Sequence, residues 1–362
     1  MRIGIVGLPQ SGKTTLFTAL THATIDEKHS PQSGKDVNHS IVKVPDSRLE
    51  WLNTLYPTAK KTQATVEYWD VAGLSKGSTK QQGFQDRFLA NLKNIDALLC
   101  VLRFFTDESV PHPETTVDPK RDLSIIEDEF LLSDLSILEN RVERLSTELK
   151  KIKNPERQKE LELLQKCLAA VESEIPLREL DFSEHEQKML RGFQFLTAKP
   201  MLIVLNIGDA DLEREDEIKQ QCAWGVGKKK KLDCISAKLE KEISQLPDED
   251  RKIFQQELGI KEPGLNKVIR DSYSLLGLIS FLTAGEKEVR AWTIKARTRA
   301  QIAAGAIHSD IERGFIRAEV VDYITLNELG TFLKCKEQGK LRLEGKDYIV
   351  QDGDVITFRF NV

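Results

Sequence analysis

A chain of 362 residues and 41.1 kDa has room for two or three domains and a large apolar core. With a formal net charge of −4, bulk charge neither recommends nor forbids nucleic acid, so any basic contact surface must be local. The five cysteines are far apart, with no CxxC pair and no histidine at zinc spacing; Met1 leads directly into an apolar strand, and no apolar run is long enough to span a membrane. A soluble, cytoplasmic protein with unpaired thiols is expected.

The first apolar run, residues 2–6, reads as a buried strand, and residues 15–20 open like a helix. Between them stands Gly7-Leu8-Pro9-Gln10-Ser11-Gly12-Lys13-Thr14, and Thr15 follows. A GxxxxGKT sequence between a strand and a helix is a phosphate-binding loop. Glycines let successive N–H groups turn inward around a phosphate, and the helix N-terminus adds roughly half a positive charge behind them. Lys13 is then placed for the β- and γ-phosphates and Thr14 for a Mg²⁺ ion. A glycine turn with a chance lysine is the bland alternative, and the strand and helix context argues against it.

Residues 21–38 are polar and contain His22 and His29, with His39 just beyond. They read equally as a switch loop over the γ-phosphate or as an ordinary surface loop, and the histidines lack the i, i+4 spacing of a metal pair. Residues 65–74 read as a strand that ends in DxxG. Asp70 is expected to serve the Mg²⁺ shell, and Gly73, with no side chain, to meet the γ-phosphate through its N–H. Leu74 stands where many switch enzymes carry a water-orienting glutamine. It can neither donate nor accept a hydrogen bond, so another group must position water.

Residues 97–104 predict another buried parallel strand, and Pro111, Pro113 and Pro119 mark a boundary. Leu135, Leu138, Val142, Leu145, Leu149 and Ile152 then step by three and four. After Asn154-Pro155, Leu161, Leu164, Leu168, Val171 and Ile175 do the same. These narrow seams predict an antiparallel coiled-coil hairpin, against the alternative of two helices lying on the main domain. Residues 201–206 resume the strand character, which makes the hairpin an insertion. At their end, Asn206-Ile207-Gly208-Asp209 occupies the place of the guanine-reading NKxD: Asp209 keeps the carboxylate, Ile207 removes the lysine, and the base stays open. Ser236-Ala237-Lys238 matches the SAK loop that backs the base, whereas residues 228–231 read as a solvated lysine tract.

Residues 275–282 form a further apolar run, and a different module is expected from residue 283. It contains strands over 289–294, 316–321 and 355–360, a helix over 299–313, and residues 346–350 leading through an Asp352-Gly353 turn. The predicted class is α/β: a P-loop NTPase with a mostly parallel sheet and helices on both faces, an inserted helical hairpin, and a C-terminal β-grasp domain. The expected divisions are residues 1–112 and 196–282 for the NTPase domain, 113–195 for the hairpin and 283–362 for the β-grasp domain.

These pieces together resemble the YchF family of Obg-related P-loop proteins, the Obg-like ATPases, over essentially the whole chain. The matches are GLPxxGKTT at residues 7–15, VKVPDSRL at 42–49, DVAGLSKG at 70–77, FLANLKNIDALLCVLRFF at 88–105, and LRLEGKDYIVQDGDVITFRFNV up to Val362. The resemblance implies a GTPase-like domain with a coiled-coil insertion and a ubiquitin-like TGS domain. It further implies Mg²⁺-dependent, slow hydrolysis of ATP or GTP, and association with ribosomes and stress responses through the hairpin and TGS domain. A monomer with no membrane partner is expected. The family carries an apolar residue at the position of Leu74 and assigns a water-positioning role that spacing puts on His112. Its base motif, NxxE with an apolar second residue, goes with ATP; Ile207 fits and Asp209 departs, which keeps GTP open. Gln10 replaces the family's usual asparagine, which argues against K⁺ activation. No threonine lies between Glu27 and Asn53, so a second hydroxyl ligand for Mg²⁺ is not assigned.

A nucleotide-regulated ribosome- or RNA-binding protein with negligible turnover is the alternative of a different class. A small-molecule kinase is disfavoured because nothing resembles an acceptor-binding lid. Arg297, Arg299, Arg313 and Arg317 are candidates for RNA contact only as charges, and read equally as ordinary surface arginines.

Overall fold

A computed structural model of the protein describes residues 1–22, 38–71, 89–260 and 262–361. The chain divides into two compact units, Met1–Ile41 with Glu67–Leu275, and Val42–Val66 with Leu276–Val362.

The strands in chain order begin β1 (Arg2–Val6), β2 (Asn38–Lys43), β3 (Lys60–Thr62), β4 (Thr65–Asp70), β5 (Ala97–Arg103), β6 (Met201–Asn206) and β7 (Lys230–Ile235). All of these except β3 form one sheet in the order β2-β4-β1-β5-β6-β7. β1 pairs in parallel with β4 and β5, and β5, β6 and β7 continue in parallel. β5 and β6 are buried along their whole length, which explains why their sequences are unbroken apolar runs rather than alternating ones. Parallel pairing gathers the carboxyl ends of β1, β4, β5, β6 and β7 at one edge, the edge where open α/β sheets bind ligands.

The inserted helices are α2 (Pro119–Lys151) and α3 (Pro155–Glu172), with α1 (Lys13–His22) preceding them in the chain. Asp118 and Asn154 cap α2 and α3, each accepting from two backbone N–H groups, and a proline follows each cap where its missing N–H costs nothing. The two sequence readings of this region are each half right. Leu123, Ile126 and Phe130 of α2 sink into the core of the sheet, while Leu138 and Leu145 pack with Leu161, Leu164 and Val171 of α3. Ile152 and Ile175 leave the predicted seam: Ile152 is the extended residue that closes α2, Ile175 lies past the end of α3, and both are exposed. Asp134, fully buried on α2, accepts from the N–H groups of Leu196 and Thr197 and so fastens the hairpin to the chain returning to β6.

The second unit holds β3 with β8 (Leu278–Ala284), β9 (Glu288–Lys295), β10 (Phe315–Asp322), β11 (Arg342–Glu344) and β12 (Asp354–Phe360), in the order β11-β10-β12-β8-β9-β3. β8–β9 and β10–β12 are antiparallel, and β12 meets β8 in parallel at Val355 and Leu282. This mixed sheet packs Phe281, Ile294, Val320 and Ile356 against Ala300, Ala303 and Ala304 of the helix Ala300–Gly305, the β-grasp arrangement.

Three expectations change here. The run over 275–282 does not close the first unit, because β8 is central to this sheet. The helix predicted over 299–313 is two helices, Ala300–Gly305 and Ser309–Arg313, since His308 is extended and its ring nitrogen caps the second. Residues 346–350, read as leading into the turn before the last strand, are not themselves a strand; among the described residues they form one isolated bridge, Ile349 to Arg299. The segment Val42–Val66 also belongs here: β3 pairs with β9, Arg48 of the helix Ser47–Leu55 forms ion pairs with Asp46 and Asp352, and Trp51 meets Tyr323 edge-on.

Candidate nucleotide site

At the carboxyl end of β1 the loop from Gly7 to Gly12 turns sharply into α1. A Cβ on Gly7 would overlap the Val101 carbonyl oxygen, and Gly12, at φ +96°, has its α-carbon face against the Asn206 side-chain amide. Both positions therefore require glycine. Pro9 stands at the bend, Gln10 adopts a left-handed φ of 61°, and Ser11 is buried with its hydroxyl unpartnered among the described residues. Lys13 opens α1 and is buried; its Nζ donates to the Leu8 carbonyl at 2.7 Å. Burial lowers its pKa from 10.5 to about 8, opposed by the negative charge of Asp70. Thr14 Oγ1 donates to Asp70 Oδ2 at 3.3 Å, which joins the loop to the end of β4. Burial raises the Asp70 pKa, and the Thr14 hydroxyl and Lys13 oppose that rise.

The opposite end is built from the loops after β5, β6 and β7. Asn206 Nδ2 donates to the Ser11 carbonyl and its Oδ1 accepts from the Ala237 N–H, both at 3.0 Å. One buried amide thus ties the phosphate loop to the third of these loops. Ser236 Oγ caps the helix Ala237–Ser244 and bonds Asp209 Oδ1, which orients that carboxylate. Ile207 is in the core and also borders the cavity, and Asp209, Ser236 and Lys238 line it. The cavity is about 600 Å³ and reaches back to Gly12 and Thr15, a volume within the usual range for small-molecule sites.

The structure brings together Lys13, Thr14 and Asp70 at one end and Asn206, Asp209, Ser236 and Lys238 at the other. Gly73, and Leu74 beside it, lie outside the described residues. His112 stands apart from the cavity. Its side chain is 3 % exposed, Nδ1 accepts from the Glu114 N–H at 3.1 Å, and Nε2 therefore carries the hydrogen donated to Asp122 at 2.9 Å. The ring, set between Pro111 and Pro113, is a buried tie between the loop and α2. Sequence reasoning missed one wall altogether, formed by Phe105, Thr106, Asp107 and Val110. The available signal was position alone, since these residues follow directly on a buried parallel strand.

A family model described as a 50S ribosome-binding GTPase matches residues 2–124, and a carboxyl-terminal YchF-GTPase model, described as a protein of unknown function, matches residues 278–361. The Bacillus subtilis protein named ribosome-binding ATPase YchF is 44% identical, with 99% of each chain covered. The Escherichia coli O157:H7 protein of the same name is 41% identical over 100% of this chain and 99% of its own. The chain belongs to the YchF family. The solved structure of the Schizosaccharomyces pombe YchF GTPase superposes with a TM-score of 0.85 at 31% identity, covering 99% of this chain and 97% of that one. The YchF relatives run through both compact units and the hairpin, so membership covers the P-loop nucleotide-binding unit and the β-grasp unit alike. These YchF proteins are variously named ATPase and GTPase. Among the described residues no helix is long and apolar enough to cross a membrane.

Proposed function

We propose that this chain is a Mg²⁺-dependent nucleoside triphosphatase of slow turnover that works as a ribosome-associated switch. The observation that carries the reading is the convergence of Lys13, Thr14 and Asp70 at the ends of neighbouring parallel strands, under a loop whose glycines leave its backbone free to surround phosphate. The reaction is transfer of the γ-phosphoryl group to water, with cleavage of its bond to the β–γ bridging oxygen. The chain's contribution is positioning and charge: loop amides and Lys13 hold the phosphates, and Gly73 would sense the γ-phosphate through its N–H.

A hydroxyl and a carboxylate 3.3 Å apart form the hard oxygen donor set that suits Mg²⁺, so Thr14 and Asp70 are the residues that would hold it. The ion would supply neutralisation of charge on the β- and γ-phosphates. Gln10 in the loop argues against a K⁺ requirement. Both ring nitrogens of His112 are bonded, which speaks against it as the water-positioning group in this conformation.

ATP is favoured by Ile207 and by the Bacillus subtilis and Escherichia coli relatives named ATPase, and Asp209 keeps GTP in contention. The hairpin and the C-terminal unit are the parts we assign to ribosome contact, in a cytoplasmic monomer. Leu74 supports a second reading, in which the nucleotide regulates binding and is hardly turned over. Calorimetric titration with non-hydrolysable ATP and GTP, with and without Mg²⁺, together with phosphate release in the presence of ribosomes, tests these readings. Mg²⁺-dependent binding with turnover stimulated by ribosomes is expected. Tight binding with turnover at background under all conditions selects the second reading.

A further inference from the structure

Arg103 ends β5 directly across from Asn206 of β6 and is 2 % exposed. Its Nε donates to the Phe105 carbonyl and its Nη2 to the Asp107 carbonyl, each at 3.2 Å. The guanidinium carbon lies 4.4 Å from the centre of the Phe105 ring. Among the described residues, the buried Nη1 has no partner and no carboxylate forms an ion pair with this cation. Burying a charge against neutral carbonyls, with one N–H unpaired, is a poor arrangement for stability alone. What it does supply is position. A planar fork fixes two carbonyls at a set separation, which a single ammonium cannot do.

The segment it fixes is the wall missed from the sequence. Phe105, Thr106, Asp107 and Val110 border the cavity, which Asp209, Ser236 and Lys238 also line. The start of this wall is anchored separately, since the N–H groups of Phe104 and Phe105 both donate to the Asn206 carbonyl, at 2.9 and 3.0 Å. Residues 106–109 are exposed; the Asp107 carbonyl takes the guanidinium and the Val110 N–H, and the Asp107 carboxylate accepts from the Ser109 N–H and hydroxyl, so the guanidinium ties a locally bonded turn to the end of β5.

We propose that Arg103 is a positioning residue for the nucleoside end of the site: its fork holds residues 105–110 as the wall against which the base and ribose are bound, and has no part in holding the phosphates. The proposal rests on the nucleotide reading above and separates the two ends of one ligand.

The test uses the full chain with Arg103→Lys and Arg103→Met, and with Phe105→Leu, which removes the ring from the guanidinium but keeps both carbonyl bonds. Two probes are titrated in Mg²⁺: a non-hydrolysable nucleoside triphosphate, and inorganic tripolyphosphate, which has no base or ribose. In both Arg103 variants the nucleotide Kd should rise about tenfold, with tripolyphosphate within about twofold of wild type. Phe105→Leu should show a smaller loss of the same kind. KM should rise with kcat nearly unchanged, because the interaction is equal in ground and transition states. Equal losses for both probes, or unchanged nucleotide binding, would overturn the proposal. If neither Arg103 variant folds, Arg103→Gln, which keeps an N–H donor in place of the fork, decides it by the same comparison. A wild-type protein that binds neither probe would overturn the nucleotide reading itself.

Discussion

The two ends of the cavity are built by different means. The end we assign to phosphate is nearly contiguous: one loop between β1 and α1, one lysine, one threonine, and, from far along the chain, Asp70 and Asn206. The nucleoside end is assembled from the loops after β5, β6 and β7, and no two of its walls are neighbours in sequence. Backbone chemistry made by adjacent residues leaves a motif. Side-chain chemistry gathered by a sheet leaves fragments, each of which reads as an ordinary loop. Asn206 bridges the two ends, bonded to the Ser11 carbonyl on one side and the Ala237 N–H on the other.

Lys13→Ala breaks the phosphate end alone and carries the largest expected effect. Turnover should fall on the order of a hundredfold or more, the scale for removing one preorganised donor to developing charge. Steady-state phosphate release measures it, and an unchanged rate would remove Lys13 from the chemistry. Asn206→Ala should instead damage both ends together. It leaves the buried Ala237 N–H without its acceptor, at a cost of about 1–3 kcal/mol to folding, read from urea denaturation, with weaker binding of nucleotide and tripolyphosphate alike.

A pH titration sharpens the contrast without mutation. In the free protein Lys13 holds its proton below about 8 and loses it above, whereas the unfolded chain keeps it up to 10.5. The native state therefore binds fewer protons between those values, and this group's contribution to stability rises with pH across that window. Anion binding acts the other way and restores the ammonium. Nucleotide affinity should thus weaken about tenfold from pH 7 to 9, and binding at pH 9 should take up protons, seen as heats that depend on the buffer. A flat profile would mean that the lysine titrates normally.

At the nucleoside end, Asp209→Asn replaces an acceptor of two donors with a mixed amide. GTP affinity should fall about tenfold with ATP nearly unchanged if the carboxylate reads guanine. Equal small changes for both nucleotides would leave Asp209 as the partner of Ser236 and nothing more.

How much of this was legible follows the same division. Strands β5 and β6 were visible as unbroken apolar runs because both of their faces are covered, and the hairpin was visible because its leucines step at helical spacing. The placement of Val42–Val66 was not. β3 meets β9 from far along the chain, with Thr62 Oγ1 donating to Glu288, and nothing in KKT marks a strand whose partner is so distant in sequence. The break at His308 was hidden because a histidine cap has none of the punctuation of glycine or proline. The 105–110 wall was hidden for a third reason: its function lies in where Arg103 holds it, and the residue types alone do not disclose that.

His112 is the point where sequence spacing and geometry pull apart, and it carries the smallest expected effect on the nucleotide. The family resemblance implied a group that positions water, and spacing put that role here. The structure gives a ring whose Nδ1 is engaged by a backbone N–H and whose Nε2 is engaged by Asp122, a carboxylate that Arg121 also holds. A histidine in that setting can act on water only if the loop first releases it, at the expense of leaving the buried Asp122 with Arg121 alone. His112→Asn should then lower folding stability by about 1–3 kcal/mol, because the tie between the loop and α2 is lost. Turnover of the protein that remains folded should stay within about twofold. The opposite pattern, intact stability with turnover down tenfold or more, would mean that the ring leaves Asp122 during the reaction and that the conformation described here is the resting one.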